Sequence, residues 1–379
     1  MTETCDFLVI GGGIAGASAG YELARHGRVI LAEKESQPGY HTTGRSAALF
    51  AEGYGNAPIR ALTRASRAFF ENPPEGFTEA PLLTPRGAMI VATAEQMPIL
   101  EKAYAETRAT LPGVEWLDAA GVLRRAPVLR EGYAVAGFYN EGERDMDVNA
   151  IHQGYLRGIR AAGGKIVTDA EITGLAREGD GWRVETGAGS FSAAVVVNAA
   201  GAWADEIAGL AGVAKVGLQP KRRTAFTFDA PDGMDVHALP AVVDAEENWY
   251  FRPESGRLMG SPADEIDSPP CDAQPDEMDI AIAVDRIEQA TIFQIRRLAS
   301  RWAGLRSFVA DRTMVAGFAP ETKGFFWLAG QGGYGIQTAP AMGRLAASLA
   351  IGSTLPADIA GFGVSAADLA PDRPALRAA

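Results

Sequence analysis

The sequence predicts an α/β protein with a Rossmann-type parallel sheet in one domain and an antiparallel sheet in a second. Three observations predict it. A strand, a glycine-rich turn, a helix and another strand follow one another within the first 33 residues. Further short apolar runs, each beside a helical stretch, recur far downstream. Between them lies chain that alternates polar and apolar residues. Parallel strands need a crossover and are buried on both faces, so they read as continuous apolar runs; antiparallel strands with one wet face alternate.

The elements follow in order. Asp6-Phe7-Leu8-Val9-Ile10 reads as a buried strand, residues 11–16 as a turn, and Ala17 to His26 as a helix that Gly27 stops. Val29 to Glu33 is the second strand, completing a βαβ unit. Ile151 to Ala162 is helical, Gly163-Gly164 ends it, and Lys165-Ile166-Val167 begins a strand. Val195 to Ala199 and Phe325 to Ala329 are buried strands; Trp203 to Leu210 and Gly335 to Ile351 are the helices after them. Lys221 to Phe228 and Trp249 to Arg252 alternate, and a long helix is expected around Asp279 to Leu298. The domains are therefore expected to be discontinuous: 1–72, 141–218 and 307–360 form the parallel-sheet domain, and 73–140 with 219–306 form the antiparallel one. Residues 361–379 are a surface tail.

Composition narrows the function. The net charge is -12 and no basic run is present, which argues against nucleic acid and acidic membrane surfaces as partners. Cys5 and Cys271 stand alone, which suits a reducing compartment and leaves no thiolate cluster for a metal. No signal peptide is recognised and no apolar run reaches the roughly 18 residues of a membrane helix. A cytoplasmic protein, at most peripheral to the inner membrane, is expected. Asp145-x-Asp147-x-Asn149 precedes a helix and reads as capping rather than a metal loop, and no metal is expected. His41 has no serine–histidine–acid arrangement around it.

The strongest motif is Gly11-x-Gly13-x-x-Gly16 between strand and helix, with Glu33 closing the next strand 22 positions after Gly11. The first glycine permits the turn, the second lets a pyrophosphate approach the backbone, and the third packs helix on sheet. The helix N-terminus offers free N–H groups to phosphates, and the acid can take ribose hydroxyls. FAD and NAD share this fingerprint. The glycine-dense run Gly330-Gln331-Gly332-Gly333-Tyr334-Gly335 favours FAD, because a second helix start can bring N–H groups to the pyrimidine edge of a flavin.

These pieces, in this order and with two insertions, resemble the D-amino acid oxidase superfamily of FAD enzymes. Residues 39–48, 219–223, 302–308 and 331–337 resemble in particular the bacterial FAD-dependent D-arginine dehydrogenases. The resemblance implies a D-amino acid oxidase-like fold and non-covalently bound FAD. It places the cofactor against Gly11, Gly13, Ala15, Gly16, Glu33, Lys34 and Ile172, and against the loop Thr42, Thr43, Gly44, Arg45, Ser46, Ala47 and Ala48. Gly332, Gly333, Tyr334, Gly335, Ile336 and Gln337 complete the set, and residues 49–55 would roof the substrate. Arg223 and Arg306 match arginines that hold a substrate carboxylate, Tyr54 and Tyr250 match tyrosines that close over it, and Gly333 lies with them. The residues support part of this: on a strand, Arg223 shares a face with Ala225 and Thr227, and Arg222 with Phe226 and Phe228. A structural ion pair remains the other reading for each arginine.

Two positions depart from that family. Leu49 stands where it has a lid histidine, and Ala88 where it has a glutamate that receives a guanidinium. Both are expected to line the side-chain pocket, where a cation would then lack its counter-ion. Glu52, in the lid loop, is a further carboxylate to place. The function implied is oxidative deamination of a D-amino acid with a non-basic side chain, by hydride transfer from Cα to flavin N5, giving an imino acid and then a 2-oxo acid and ammonia. The alternatives are oxidation of an N-substituted or cyclic amino acid, of sarcosine or proline type, and a non-enzymatic flavoprotein. The electron acceptor, oxygen or a quinone, is left open.

Overall fold

The computed structural model describes residues 2–377. The apolar run at 7–10 belongs to the strand Glu3–Ile10, which lies at the middle of a parallel sheet. It pairs with Val29–Ala32 on one side and Gly189–Asn198 on the other. Lys165–Val167 extends the sheet beyond Val29–Ala32, and Phe325–Ala329 runs beside the end of Gly189–Asn198. All five are parallel, so their carboxyl ends share one edge, the edge at which open α/β sheets bind ligands. The hairpin Ile172–Glu178 and Gly181–Thr186 is added antiparallel to the start of Gly189–Asn198, and Val315–Phe318 flanks Phe325–Ala329. The helices Ile14–Leu23, Val148–Ala161 and Gly335–Ala350 pack on this sheet, their apolar residues forming one core with Val9, Leu31 and Val197.

The second sheet has nine strands. Its spine is the long pair Gln219–Phe228 and Leu298–Phe308. Arg257–Ser261, Tyr250–Glu254 and Ala241–Asp244 follow to one side, and then Ala88–Ala92, Ala136–Asn140 and Glu115–Asp118. The pairing is antiparallel apart from Ala241–Asp244 with Ala88–Ala92, which is parallel. That pair joins the two separate insertions, where no hairpin dictates direction. Phe226, Phe228 and Phe251 pack with the helix Glu277–Ala290. A third, small sheet joins Leu49–Phe50, Arg144–Met146 and Leu83–Pro85.

Asp147 does cap its helix, accepting the Ala150 N–H at 2.8 Å. The long helix is shorter than expected, ending at Ala290 rather than near Leu298. The Thr291 hydroxyl donates to the Ile287 carbonyl at 2.6 Å and accepts the Phe293 N–H at 3.2 Å. Phe293 is thereby turned into the aromatic core against Phe228 and Phe251. Tertiary burial of one large ring overrides the helical periodicity of the segment that follows.

The glycine turn is packed backbone to backbone. A Cβ on Gly16 would lie 1.9 Å from the Gly11 carbonyl oxygen, and one on Gly11 (φ +101°) would lie 2.4 Å from the Ala199 oxygen. No side chain can rotate away to relieve either clash. Gly16→Ala is expected to cost about 1–3 kcal/mol of stability and to lower flavin retention. Thermal unfolding together with the flavin absorbance of the purified variant checks both.

Candidate active site

Three contacts hold the turn at the end of the first strand. Glu33, buried at the end of Val29–Ala32, accepts the Gly12 N–H at 2.7 Å and the Glu35 N–H at 2.9 Å. The first N–H of the helix, from Ile14, donates to the Thr43 hydroxyl at 3.0 Å. Gly13, the N-cap residue, has no side chain to do this, so the loop supplies the cap from 29 residues away. Buried His152 bonds the Gly12 carbonyl at 2.8 Å, and burial pulls its pKa down, so it is a neutral donor there.

The polar loop after Glu33 is not free in solvent. The Thr42 hydroxyl donates to the Leu305 carbonyl at 2.8 Å. Arg45 donates to the carbonyls of Ala273 and Ala303 at 2.9 and 3.0 Å and pairs with Asp272. Trp302 donates its indole N–H back to the Arg45 carbonyl at 3.0 Å. The loop thus binds the glycine turn at one end and the strand Leu298–Phe308 at the other.

A cavity of about 450 Å³ opens where these elements meet. Gly11, Gly13, Ala15, Glu33, Lys34 and Ile172 line it, as do Thr42, Thr43, Arg45, Ser46 and Ala47. So do Gly332, Gly333, Gly335 and Ile336, and from the second sheet Arg223, Tyr250 and Arg306. Other expected residues lie behind the wall. Gly16 packs helix on turn, and Gly44 closes a turn onto the Gly39 carbonyl. Gln337 accepts the Ala51 N–H at 3.2 Å and donates to Thr63 at 2.9 Å, tethering the roof loop. Tyr334 packs its ring 5.0 Å from that of Tyr54, and Ala48 packs against the apolar core. Leu49 and Ala88, expected on a side-chain pocket, do not line the cavity: Leu49 is paired with Asp145, and Ala88 lies between Asn140 and Ala241 in the second sheet. Neither cysteine lines it.

The arginines converge through strand register. Arg223 lies opposite Gly304, and Arg306 lies opposite Lys221, two residues along. Residues diagonal across an antiparallel pair share a face, roughly 7–8 Å apart, within reach of long side chains. Ala225, on the same face as Arg223, also lines the cavity, whereas Phe226 and Phe228 on the other face are core. Arg306 has no carboxylate in ion-pair contact among the described residues; its one side-chain hydrogen bond goes to the Tyr54 hydroxyl at 3.3 Å. Its guanidinium lies so close to Gly333 that a Cβ there would approach its central carbon to 3.0 Å. Arg223 makes a single long contact, 3.3 Å to Glu265, and its Nε is buried with no partner. Glu52 is already paired with Arg67 at 2.9 Å.

Three groups at the cavity, Gln331, His41 and Trp203, were not among the residues expected to bind cofactor or substrate. Gln331 lines it with both amide atoms buried and unpartnered. Lys34 lies 3.5 Å over the Trp203 ring, and the His41 ring lies tilted to that indole at 50°, with the centroids 4.7 Å apart. His41 bonds Glu35 at 2.7 Å while its Nδ1 is buried without a partner. The orphaned polar atoms of Gln331, His41 and Arg223, and the glycines that leave the turn bare, fit a long polar ligand that reaches from the aromatic end past the helix N-terminus to the arginines.

That arrangement defines a dinucleotide-binding α/β protein with two arginines of its second sheet at the cavity. The family model described as FAD dependent oxidoreductase, DAO, matches residues 6–349, and the chain belongs to that family. Glycine oxidase of Geobacillus kaustophilus is 26% identical over 96% of this chain and 98% of its own length. FAD-dependent oxidoreductase domain-containing protein 1 of Bos taurus is 25% identical over 92% of this chain and 82% of its own. The solved structure of the Geobacillus glycine oxidase superposes with a TM-score of 0.81, at 25% identity, over 95% of this chain and 98% of that one. L-α-glycerophosphate oxidase of Mycoplasma pneumoniae with FAD bound superposes at 0.82 over 92% and 95%, at 20% identity, which shows the fold alone. The cofactor of this family is FAD, and it is the cofactor of this chain. These relatives carry the family and not the narrower likeness to D-arginine dehydrogenases.

The purified protein is expected to be yellow and to release FAD on acid or heat denaturation; colourless protein that titrates with NAD would contradict the assignment. A second expectation concerns Glu143, beside the roof loop. Burial pushes its carboxyl up to about 7, against the Asn140 hydrogen bond, with the Glu52 charge adding to the rise and Arg67 opposing it. The folded protein therefore keeps a proton there that the unfolded chain releases near 4.5, and stability falls as pH rises from about 4.5 through about 7. Glu143→Gln is expected to remove that fall and to stabilise the protein above neutral pH by about 1–3 kcal/mol. Melting temperature against pH for the two proteins measures it.

Proposed function

We propose that the protein oxidises the Cα–N bond of an α-amino acid, with the substrate carboxylate held by Arg306 and Arg223. The observation that carries this reading is the pair of diagonal arginines facing the cavity, Arg223 with an unpartnered buried Nε and Arg306 with no carboxylate in contact among the described residues. Two fixed guanidinium forks suit a planar anion, and each charge-assisted hydrogen bond is worth about 1.5–3 kcal/mol. Tyr54 holds Arg306 from the roof side, and Gln337 fixes the same loop through Ala51. Closing Tyr54 and Tyr250 over a bound carboxylate would exclude water and fix the Cα–H direction, a gain of position rather than of acid or base strength. FAD, when bound, supplies the two-electron acceptor. The substrate loses two electrons and two protons to give an imino acid, which water converts to a 2-oxo acid and ammonia. Residues 1–72, 141–218 and 307–360 would serve the cofactor, and 73–140 with 219–306 the substrate.

D-amino acids with non-basic side chains are the substrates we favour, since Glu52, the carboxylate of the roof loop, is engaged by Arg67. A second reading has its own support. The relatives include glycine oxidase, human dimethylglycine dehydrogenase (27% identical over 69% of this chain and 30% of that protein) and N-methyl-L-tryptophan oxidase. Small or N-alkylated amino acids would use the same carboxylate clamp. Anaerobic flavin bleaching with D-alanine, D-leucine, D-arginine, glycine, sarcosine and proline separates the readings. On the first, D-leucine bleaches fastest and D-arginine slowly; bleaching by sarcosine or proline alone selects the second.

Arg306→Met is expected to raise KM for the best of these substrates by about 100-fold or more, while FAD content stays near normal. Unchanged kinetics with lost FAD would make Arg306 a structural residue instead.

A further inference from the structure

Arg223 meets the cavity on one side and Glu265 on the other. Glu265 contacts Arg223 at 3.3 Å, and Arg312 grips both of its oxygens, at 2.8 and 3.0 Å. The acid is placed by the strand beside it. After Ser261 the chain leaves its pairing with Gln219–Phe228, with Ala263 in the left-handed region at φ +52°. Asp264 then accepts the Thr224 N–H and hydroxyl and lies 3.5 Å from Arg222, on the core-facing side. The next residue, Glu265, falls to the opposite side, against Arg223. Arg312 is itself held at φ +59°, its guanidinium 3.9 Å over the Phe308 ring. Glu265 and Arg312 stay partly open to solvent, while Arg223 is buried.

Arg223, Arg306 and Arg312 are three cations; Glu265 is in ion-pair contact with Arg223 and Arg312, and Arg306 has no carboxylate in contact among the described residues. We propose that Glu265 is a specificity-determining residue: it occupies the anion position that Arg223 and Arg312 would otherwise offer, and so restricts the site to amino acids with a single carboxylate. This rests on the reading of Arg306 and Arg223 as the carboxylate clamp. Without Glu265, Arg223 and Arg312 present a second pair of free forks beside the first anion, and a dicarboxylate gains a partner for its far end.

The test is binding of propionate and succinate to the holoenzyme, read from the change in flavin absorbance at fixed pH and ionic strength. Wild type is expected to bind propionate at least as tightly as succinate. Glu265→Gln is expected to tighten succinate by roughly tenfold or more while propionate changes by less than about threefold. Adding Arg312→Met should abolish the gain, and Glu265→Asp, which keeps the charge, should retain most of the wild-type preference. The proposal is overturned if wild type already prefers succinate, a result that needs no variant to fold. It is equally overturned if Glu265→Gln weakens both ligands in parallel, which would make Glu265 a mere brace for Arg223, or leaves both unchanged. If instead Arg306→Met leaves propionate binding unaltered, the clamp reading fails, separately from the role of Glu265.

Discussion

The site depends on how closely one backbone approaches another around Gly11 and Gly16. The first strand, the helix after it and the strand that ends at Asn198 converge there with no side chain between them. That approach bares the helix N-terminus toward the cavity, and the free N–H groups of a first helical turn are what a pyrophosphate needs. Glu33 and His152 hold the two peptides that flank the Gly12 Cα, Glu33 accepting the Gly12 N–H and His152 donating to the Gly12 carbonyl. A turn this crowded has one conformation, so the cavity floor is rigid before any cofactor arrives.

The loop at 39–48 carries that rigidity to the second sheet. Its Thr43 caps the helix while its Thr42 and Arg45 reach the carbonyls of Leu305 and Ala303, on the strand that bears Arg306. Neighbouring hydroxyls therefore fix the cofactor turn and the arginine strand relative to one another. Oxidation at a Cα–N bond needs the substrate held to a fraction of an ångström against its electron acceptor, and a sheet anchored through carbonyls supplies such precision better than a mobile lid.

Three acids near the arginines and the roof loop are committed by the fold. Glu52 belongs to Arg67, Asp264 to Thr224 and Arg222, and Glu265 to Arg312 and Arg223. Arg306 is the exception among the cations of this face, since its neighbours are a phenol and a glycine. A guanidinium at the cavity with no carboxylate in contact is open to pairing with an anionic ligand, and the proposed reading rests on this residue.

The sequence by itself determined the parallel sheet, the glycine turn, the acid after the second strand and the alternating face that puts Arg223 with Ala225. Each is local: a period of two, a turn that only glycine can make, or an apolar run that must be buried on both sides. The Asp279–Leu298 helix was misjudged at its end because the Phe293 ring is claimed by Phe228 and Phe251, from other strands. Which residues reach the cavity was decided by tertiary structure. Ala88 and Leu49 looked like pocket positions, but pairing with Asn140 and Asp145 holds them in sheets away from its wall. Nothing in the sequence shows that the side chains of Gln331 and Trp203 face the cavity or that Glu265 and Arg312 pair beside Arg223; chain segments far apart in sequence fold to one place to bring this about. Local pattern fixes which face a side chain takes, and only long-range packing fixes what that face meets.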